Sequence, residues 1–225
     1  MESFIQTKLW QNTLAERQND AQEQSRARLR VAYLTFRNRA SQLADEIPLN
    51  LPYLTKHDIT HLDALWWLAD RIIGDDLLTR EGHAFINPLE AFVLGCAFLI
   101  HDLAHSEAAL QLPLSEIRSS RTYQDLFATI YKINLREDIT ESQHKEVLGA
   151  YLRETHATHA LDLVKQHWTS PEGTQHFLLM DEELRGFLAN SIGRLAASHH
   201  WPVSRLPDEF SFPVGSPPFS AVWRL

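Results

Sequence analysis

The chain is poor in the features that mark several protein classes. Its single cysteine, Cys96, excludes an internal disulfide and fits a reducing compartment, so a cytoplasmic location is predicted. The longest apolar stretch, Leu89 to Ile100, is shorter than a membrane span needs, which predicts no membrane partner. The first residues lack the basic start and apolar core of a signal peptide. A net charge of −8 argues against broad nucleic-acid binding, because such binding needs a basic face.

Glycine is also scarce, with eight in 225 residues, while Leu, Ala, Glu, Gln and Arg are abundant and favour helices. Apolar spacing and capping residues predict one or two long helices over residues 2–46 and a loop over 47–52. Further helices are predicted over about 58–73, 87–104, 115–133, 140–167 and 181–199. No strand pattern stands out, so the predicted fold class is all-α, a multi-helix bundle.

The chain is long enough to bury one substantial core. We predict a helical extension at residues 1–46, a helical metal-binding domain at 47–203 and an irregular segment at 204–225. Five of the ten prolines follow Trp201, which is why the last segment is expected to be irregular.

Histidine is unusually frequent, with twelve residues, and two of them precede an aspartate, as His57-Asp58 and His101-Asp102. The second pair closes an apolar stretch that predicts a buried helix, where an imidazole and a carboxylate are costly unless something satisfies both. A divalent metal ion would do so. Histidines on other predicted helices can complete such a site, because a helix bundle can aim groups at one point: His61, His156 and His199.

Imidazole and carboxylate donors suit Mn, Fe, Co, Zn or Mg, and leave open which ion binds and whether one or two do. An aspartate between two ions is an arrangement used for phosphoester hydrolysis. Arg153, one helical turn before His156, can clamp a phosphate bidentately or pair on the surface. His105, one turn beyond His101, can donate a proton or lie at a solvated helix end.

The order of these motifs resembles the HD superfamily of metal-dependent phosphohydrolases over most of residues 50–203. T-K-H-D-I-T-H-L-D resembles the first-histidine motif, in which the second histidine, here His61, is the ligand. F-L-I-H-D-L-A-H resembles the defining His-Asp pair. R-E-T-H-A-T-H resembles the additional-histidine helix of multi-histidine members such as HD-GYP domains, and A-A-S-H-H-W-P-V the next histidine site. The nearest likeness is to the HD-CE type, often joined to a GHKL-type ATPase module.

The resemblance implies a metal-dependent phosphohydrolase that uses metal-activated water on a phosphomonoester or phosphodiester, with a nucleotide as the expected substrate. The implied ligands are His61, His101, Asp102, His156 and His199. Asp102, His105 and Arg153 are the implied catalytic residues. His57 is assigned an orienting or structural part, and His200 is the alternative to His199 if the register shifts.

The chain departs from the family at the last ligand, an aspartate on a further helix, for which we find no substitute before Leu225. The lysine that often follows the His-Asp pair is also missing. We therefore expect an N-terminal piece of a longer protein or a truncated form. The alternative function is a catalytically incomplete domain that senses a nucleotide or regulates a larger ATPase-containing protein. The partner is then either this ATPase module or a second copy of the chain in a homo-oligomer. A purely structural helical domain is the third possibility.

Overall fold

A computed structural model of the chain describes residues 3–54, 56–78, 86–133 and 139–210. Helices make up most of it, which confirms the all-α fold class. In chain order, the α-helices are α1 (Lys8–Thr13), α2 (Glu23–Ala44), α3 (Ile47–Asn50), α4 (Ile59–Leu78), α5 (Pro88–Ile100), α6 (Glu107–Leu110), α7 (Leu114–Ser119), α8 (Arg121–Tyr131), α9 (Glu141–Ala160), α10 (Glu182–Ala197) and α11 (Leu206–Phe210). Short 3-10 helices occur at Phe4–Gln6, Leu103–His105, Ser198–His200 and Val203–Arg205.

Helix α5 lies at the centre of the bundle, between α2, α4 and α10. Asn87 caps it in a capping box with Glu90, and Pro88 occupies the first turn, as the sequence predicts. The predicted end near residue 104 is wrong, because α5 ends at Ile100 and a 3-10 turn follows. This change in helix type displaces the side chains after Ile100 from the regular α-helical positions.

The apolar stretch around α5 is longer than the predicted Leu89 to Ile100. Counted from Pro88 to His105, it is long and apolar enough to cross a membrane by length and composition. However, 72% of that stretch is buried inside the domain, which is the situation of a core helix.

The N-terminal helices share one core with α4 and α5. Four buried aromatic rings meet there edge to face or at a tilt, from Phe4, Trp10, Tyr33 and Trp66. Trp66 Nε1 donates a hydrogen bond to Tyr33 Oη at 2.7 Å, so the polar atoms of this aromatic cluster satisfy each other. Gly95 of α5 faces the cluster, and a Cβ there would clash with the rings of Trp66 and Tyr33.

Several predicted boundaries differ from the structure. Residues 47–50, predicted to be loop, form α3, because Pro48 fits the first turn of a helix. The helix predicted to end at residue 73 does so, because Gly74 has non-helical backbone angles with a φ of 69°, and a second helical stretch after this kink carries α4 to Leu78. The predicted helix over 115–133 is two helices, α7 and α8, since Ser120 breaks the first and caps the second. Residues 79–85 of the predicted polar loop lie outside the described residues.

The long helix predicted to residue 167 ends earlier, at Ala160. It leads to a hairpin of β1 (His167–Thr169) and β2 (Gln175–Phe177), with Trp168 opposite His176. The sequence does not predict this hairpin, because three residues per strand are too few for an alternating pattern. A turn at residues 170–173 joins the two strands, as the sequence Ser170-Pro171-Glu172-Gly173 indicates, and Gly173 adopts a positive φ of 83° there.

Helix α10 begins after Asp181, whose side chain accepts a hydrogen bond from the backbone N–H of Leu184. The segment predicted to be irregular contains α11 in its described part, and residues 211–225 lie outside the described residues. The division into residues 1–46, 47–203 and 204–225 stays a prediction.

Candidate metal centre

Asp102 occupies the middle of a ring of histidines. It follows the last turn of α5, and only 7% of the residue is exposed. The apolar face of α5 carries its C-terminal end into the core, which explains why a carboxylate is buried here. Burial by itself raises the pKa of Asp102, but hydrogen bonds from His101 and His61 outweigh it and hold the pKa well below its usual range. The carboxylate is therefore ionised.

The Oδ2 atom of Asp102 faces three imidazoles from the start of α4 and the end of α5. His101 Nε2 is 2.9 Å from it, and the Nε2 atoms of His57 and His61 are each 3.6 Å away. His57 is as close as the predicted ligand His61. His57 lies two residues before α4 and His61 lies in its first turn, and their ring centroids are 4.7 Å apart, so both rings reach the same carboxylate oxygen.

The Oδ1 atom of Asp102 faces three further imidazoles from other elements. His156 Nε2 of α9 is 3.6 Å away, His105 Nδ1 is 3.8 Å away, and His199 Nε2 is 3.9 Å away. These separations exceed those of direct hydrogen bonds. The structure thus brings together the predicted ligands and adds His57 and His105 at similar distances.

Three of the rings are held by the backbone of their own helices. In each case Nδ1 lies within hydrogen-bond distance of the carbonyl three residues earlier: His101 and Phe98 at 2.9 Å, His156 and Arg153 at 2.7 Å, His199 and Ala196 at 2.6 Å. A carbonyl only accepts, so Nδ1 carries the proton and donates. In neutral His156 and His199, Nε2 then presents a lone pair, which is the state that a metal ion requires. His101 differs, because burial lowers its pKa but a hydrogen bond from Nε2 to Asp102 outweighs burial and raises it.

Two of these lone pairs face each other. The Nε2 atoms of His156 and His199 are 3.0 Å apart. Two acceptors at this distance need a proton or a cation between them. Burial lowers the pKa of His156 to about 4, and it also lowers the pKa of His199, so a shared proton is disfavoured at neutral pH. A divalent cation would satisfy both nitrogens.

His105 lies deeper than the sequence predicts. It is 5% exposed, so the alternative of a solvated helix end is wrong. Its ring stacks on His156 with 4.0 Å between centroids, and its buried Nδ1 has no hydrogen-bond partner. Burial lowers the pKa of His105 to about 3, which keeps the ring neutral. The role of proton donor stays a prediction, and this environment disfavours it.

Three groups of side chains among the described residues have ligand atoms close enough to hold an ion: His57, His61 and Asp102; Asp102, His105 and His156; His156, His199 and His200. Asp102 is the only carboxylate among these groups. His200 contacts the ring of His156 at 4.5 Å between centroids, so it accompanies His199 rather than replacing it. The donors fit the implied metal, since an orphaned nitrogen and opposed lone pairs are what a cation would satisfy.

His57 lies as close to Asp102 as His61 does, and its orienting or structural role stays a prediction. The signal in the sequence is its four-residue spacing from His61, although His57 itself precedes the helix. His105 had the equivalent signal relative to His101, but its burial depends on the 3-10 turn, which the sequence does not indicate.

Arg153 lies on the exposed face of α9, one turn before His156. In the described part of the chain, no hydrogen bond or ion pair joins its guanidinium to the histidine ring. It lines a groove of about 1030 Å³ together with Tyr53, Leu126, Ile130 and Lys145. Arg153 therefore lies on the wall of a groove whose lining residues do not include Asp102 or the histidines around it.

An α-helical bundle with one buried His-Asp pair and histidines converging from other helices is the architecture of an HD-type domain. The HD-CE family profile matches residues 51–225, and the chain belongs to this family. No curated protein and no solved structure matches the chain.

Proposed function

We propose that this domain is a metal-dependent hydrolase of phosphomonoesters or phosphodiesters. The observation that carries the proposal is the ring of imidazole nitrogens around the ionised carboxylate of Asp102. The family membership supports the same class of chemistry. A divalent ion held by His61, His101, Asp102, His156 and His199 would lower the pKa of a water molecule and offset charge that develops on a phosphoryl group.

The open side of the ring indicates where a phosphate would enter. The side chains of His61 and His199 are 34% and 31% exposed, whereas those of His105 and His156 are nearly buried. We propose that the phosphate reaches the centre past His61 and His199. The buried pair, His105 and His156, would hold the site rigid and exclude water from the side opposite the opening.

The groove along α9 would take the organic part of the substrate. Its volume is far larger than a phosphate needs and within the range of small-molecule sites. Tyr53 is 99% exposed at its edge, and Leu126 and Ile130 supply apolar wall, so an aromatic base can stack there. Arg153 would position the phosphate. A nucleotide combines these parts and is the substrate that we propose.

The charges in the groove favour a small ester over a polyanion. Lys145 and Arg153 are accompanied by Glu146 and Glu154, so the lining is balanced. Glu146 accepts a hydrogen bond from Tyr131 Oη, which leaves it in place as a fixed negative group. A single nucleotide with an uncharged base fits this balance better than a nucleic-acid strand does.

Metal content and phosphate release test the proposal. We expect the purified protein to hold a transition metal and to release phosphate from a panel of nucleotides and simple phosphoesters. Asp102→Ala should lose both with its helix content intact. Asp162→Ala is the matched control, because Asp162 is an exposed aspartate paired with Lys165. Failure to bind any metal at a pH where histidine is neutral would overturn the proposal.

A second function is favoured by the single carboxylate in the candidate groups. A centre with few anionic ligands can bind a nucleotide without turnover, as a sensing or regulatory module would. We propose that such a module would act with an ATPase module of a larger protein or as a homo-oligomer. Thermal stabilisation by nucleotides without phosphate release would support this function, and release from the same nucleotides would exclude it.

A further inference from the structure

A cleft of about 650 Å³ lies between α2 and the hairpin of β1 and β2. Its lining residues include neither Asp102 nor any of the histidines around it. We infer that this cleft binds a small aromatic carboxylate, at a site separate from the metal centre. Such a site goes beyond the proposed function and does not depend on it.

The cleft has the size and the apolar surface of a small-molecule site. Its volume lies within the range of about 300–1,000 Å³ that such sites occupy. Leu43 and Leu178, which are both buried, supply apolar lining. A flat ring that packs against these side chains would be removed from water, which favours binding.

Two aromatic side chains that line the cleft are held in place by contacts of their own. Trp168 Nε1 donates a hydrogen bond to the Ala108 carbonyl at 3.2 Å. The guanidinium of Arg185 lies 3.6 Å from the centroid of the Phe177 ring, and Arg185 Nη1 donates to the Leu179 carbonyl at 2.7 Å. Because these rings are already ordered, a ligand that stacks on them loses little free energy to their immobilisation.

The cleft also contains an arginine of α2 that differs from the other four in that helix. Those four pair with carboxylates, as Arg26–Asp20, Arg28–Asp181, Arg30–Glu23 and Arg37–Asp63. Arg39 lines the cleft, and within the described residues its guanidinium has neither an ion pair nor a hydrogen bond. A guanidinium binds a carboxylate through two parallel charge-assisted hydrogen bonds. Arg39 can therefore give a ligand the contact that the other arginines give to the protein.

Glu46 favours a ligand with a single negative charge. It lines the cleft, and its carboxylate accepts a hydrogen bond from the buried Ser106 Oγ at 2.6 Å. A carboxylate held in this way repels a doubly charged phosphate more strongly than it repels a carboxylate. The amides of Asn38 and Gln42 also line the cleft and can donate to a ligand oxygen. A ring with one carboxylate group fits this lining.

Fluorine magnetic resonance of 6-fluoro-2-naphthoate tests the inference on the full chain, with the neutral 6-fluoro-2-naphthamide as the uncharged comparison. We expect the naphthoate to bind the wild type with a Kd of about 1 mM or lower. Arg39→Gln should weaken naphthoate binding about tenfold, the effect of one charged contact, and leave amide binding unchanged. Trp168→Leu should weaken the binding of both. Arg121→Gln is the matched control and should change neither, since its side chain is 93% exposed on α8.

A chelator separates this site from the metal centre. None of the candidate metal ligands lines the cleft, so the naphthoate should bind equally well with and without chelator. Binding that disappears with the metal would place the naphthoate at the metal centre and overturn the inference. No binding at about 1 mM, or equal affinity in the wild type and folded Arg39→Gln, would also overturn it. Failure to release phosphate would refute the proposed function and leave this binding site standing.

Discussion

Two clusters of rings pack along α5, the aromatic cluster at Gly95 and the histidine ring after Ile100, and they differ in how their polar atoms are satisfied. In the aromatic cluster, Trp66 Nε1 donates to Tyr33 Oη where the two rings meet edge to face. In the histidine ring, His101 lies within hydrogen-bond distance of Asp102, whereas the facing nitrogens of His105, His156 and His199 lie 3.8, 3.6 and 3.9 Å from the carboxylate, beyond that distance. The first cluster is complete as protein alone. The second leaves the buried Nδ1 of His105 without a hydrogen-bond partner and sets two imidazole nitrogens 3.0 Å apart, an arrangement that a cation would satisfy.

The largest effect is expected from breaking the aromatic cluster. Trp66→Ala removes a side chain that is fully buried at the centre of four rings, and it should lower the free energy of unfolding by about 3–5 kcal/mol. Urea denaturation measures the change. Phe187→Ala, at a position that is 62% exposed, is the control and should change stability little. An equal loss in both variants would refute this role for Trp66.

Metal removal probes the other cluster. A divalent ion at about one hundred times its dissociation constant should stabilise the native protein by roughly 2.7 kcal/mol, and a chelator should remove this gain. In Asp102→Asn the difference between metal-loaded and chelated protein should vanish. Thermal unfolding with and without chelator measures it. Full retention of the difference in Asp102→Asn would place the stabilising ion elsewhere.

Two glycine substitutions test how tightly the aromatic cluster is packed, one at the cluster and one away from it. Gly95→Ala would force a Cβ against Trp66 and Tyr33, so we expect a loss of about 1–3 kcal/mol. Gly186→Ala of α10 meets no atom within 4 Å and should instead stabilise the helix by up to about 1 kcal/mol. Chemical denaturation of both variants should give opposite signs. The same sign in both would mean that α5 shifts to accept the methyl group.

A substitution beside the histidine ring tests substrate positioning. Arg153→Gln should raise KM for a nucleotide about tenfold, the effect of losing one charged contact, and leave metal content unchanged. Arg121→Gln, whose side chain is 93% exposed on α8, is the matched control. Steady-state kinetics and elemental analysis measure the two quantities. An unchanged KM would remove Arg153 from the proposed site.

The smallest effect concerns an ion pair remote from both clusters. A hydrogen bond from Arg28 lowers the pKa of Asp181 below its ordinary 3.8. Its stabilising contribution is present above the unfolded-state pKa and is lost as pH falls through the lower folded-state pKa. Because both groups are partly exposed, we expect no more than about 1 kcal/mol. Asp181→Asn should flatten the pH dependence of stability below about pH 4, as measured by urea denaturation from pH 2 to 6.

The parts of the fold that depend on local signals could be predicted. Asn87, Pro88 and Glu90 define the start of α5, and the pair His101-Asp102 at the end of its apolar stretch indicates the centre of the candidate site. The all-α class follows from the same periodicity. Each of these features depends on residues that are close together in the chain, so a single sequence is enough to predict it.

Other parts depend on contacts that the sequence does not display. The burial of His105 requires the 3-10 turn after Ile100 and the ring of His156 stacked on it. The equivalence of His57 and His61 depends on where the entrance to α4 meets Asp102. The hairpin of β1 and β2 is anchored from a distance, since Trp168 Nε1 donates to the Ala108 carbonyl.

The backbone carbonyls of Phe98, Arg153 and Ala196 hold three of the rings that surround Asp102. Every residue has a backbone carbonyl. The orientation of each imidazole is therefore set by the backbone geometry and does not depend on which side chain lies three positions earlier. Substitutions at these positions can therefore vary the surroundings of the centre while the rings stay in place. The domain can in this way change its ligand preference by mutation without rebuilding its metal centre.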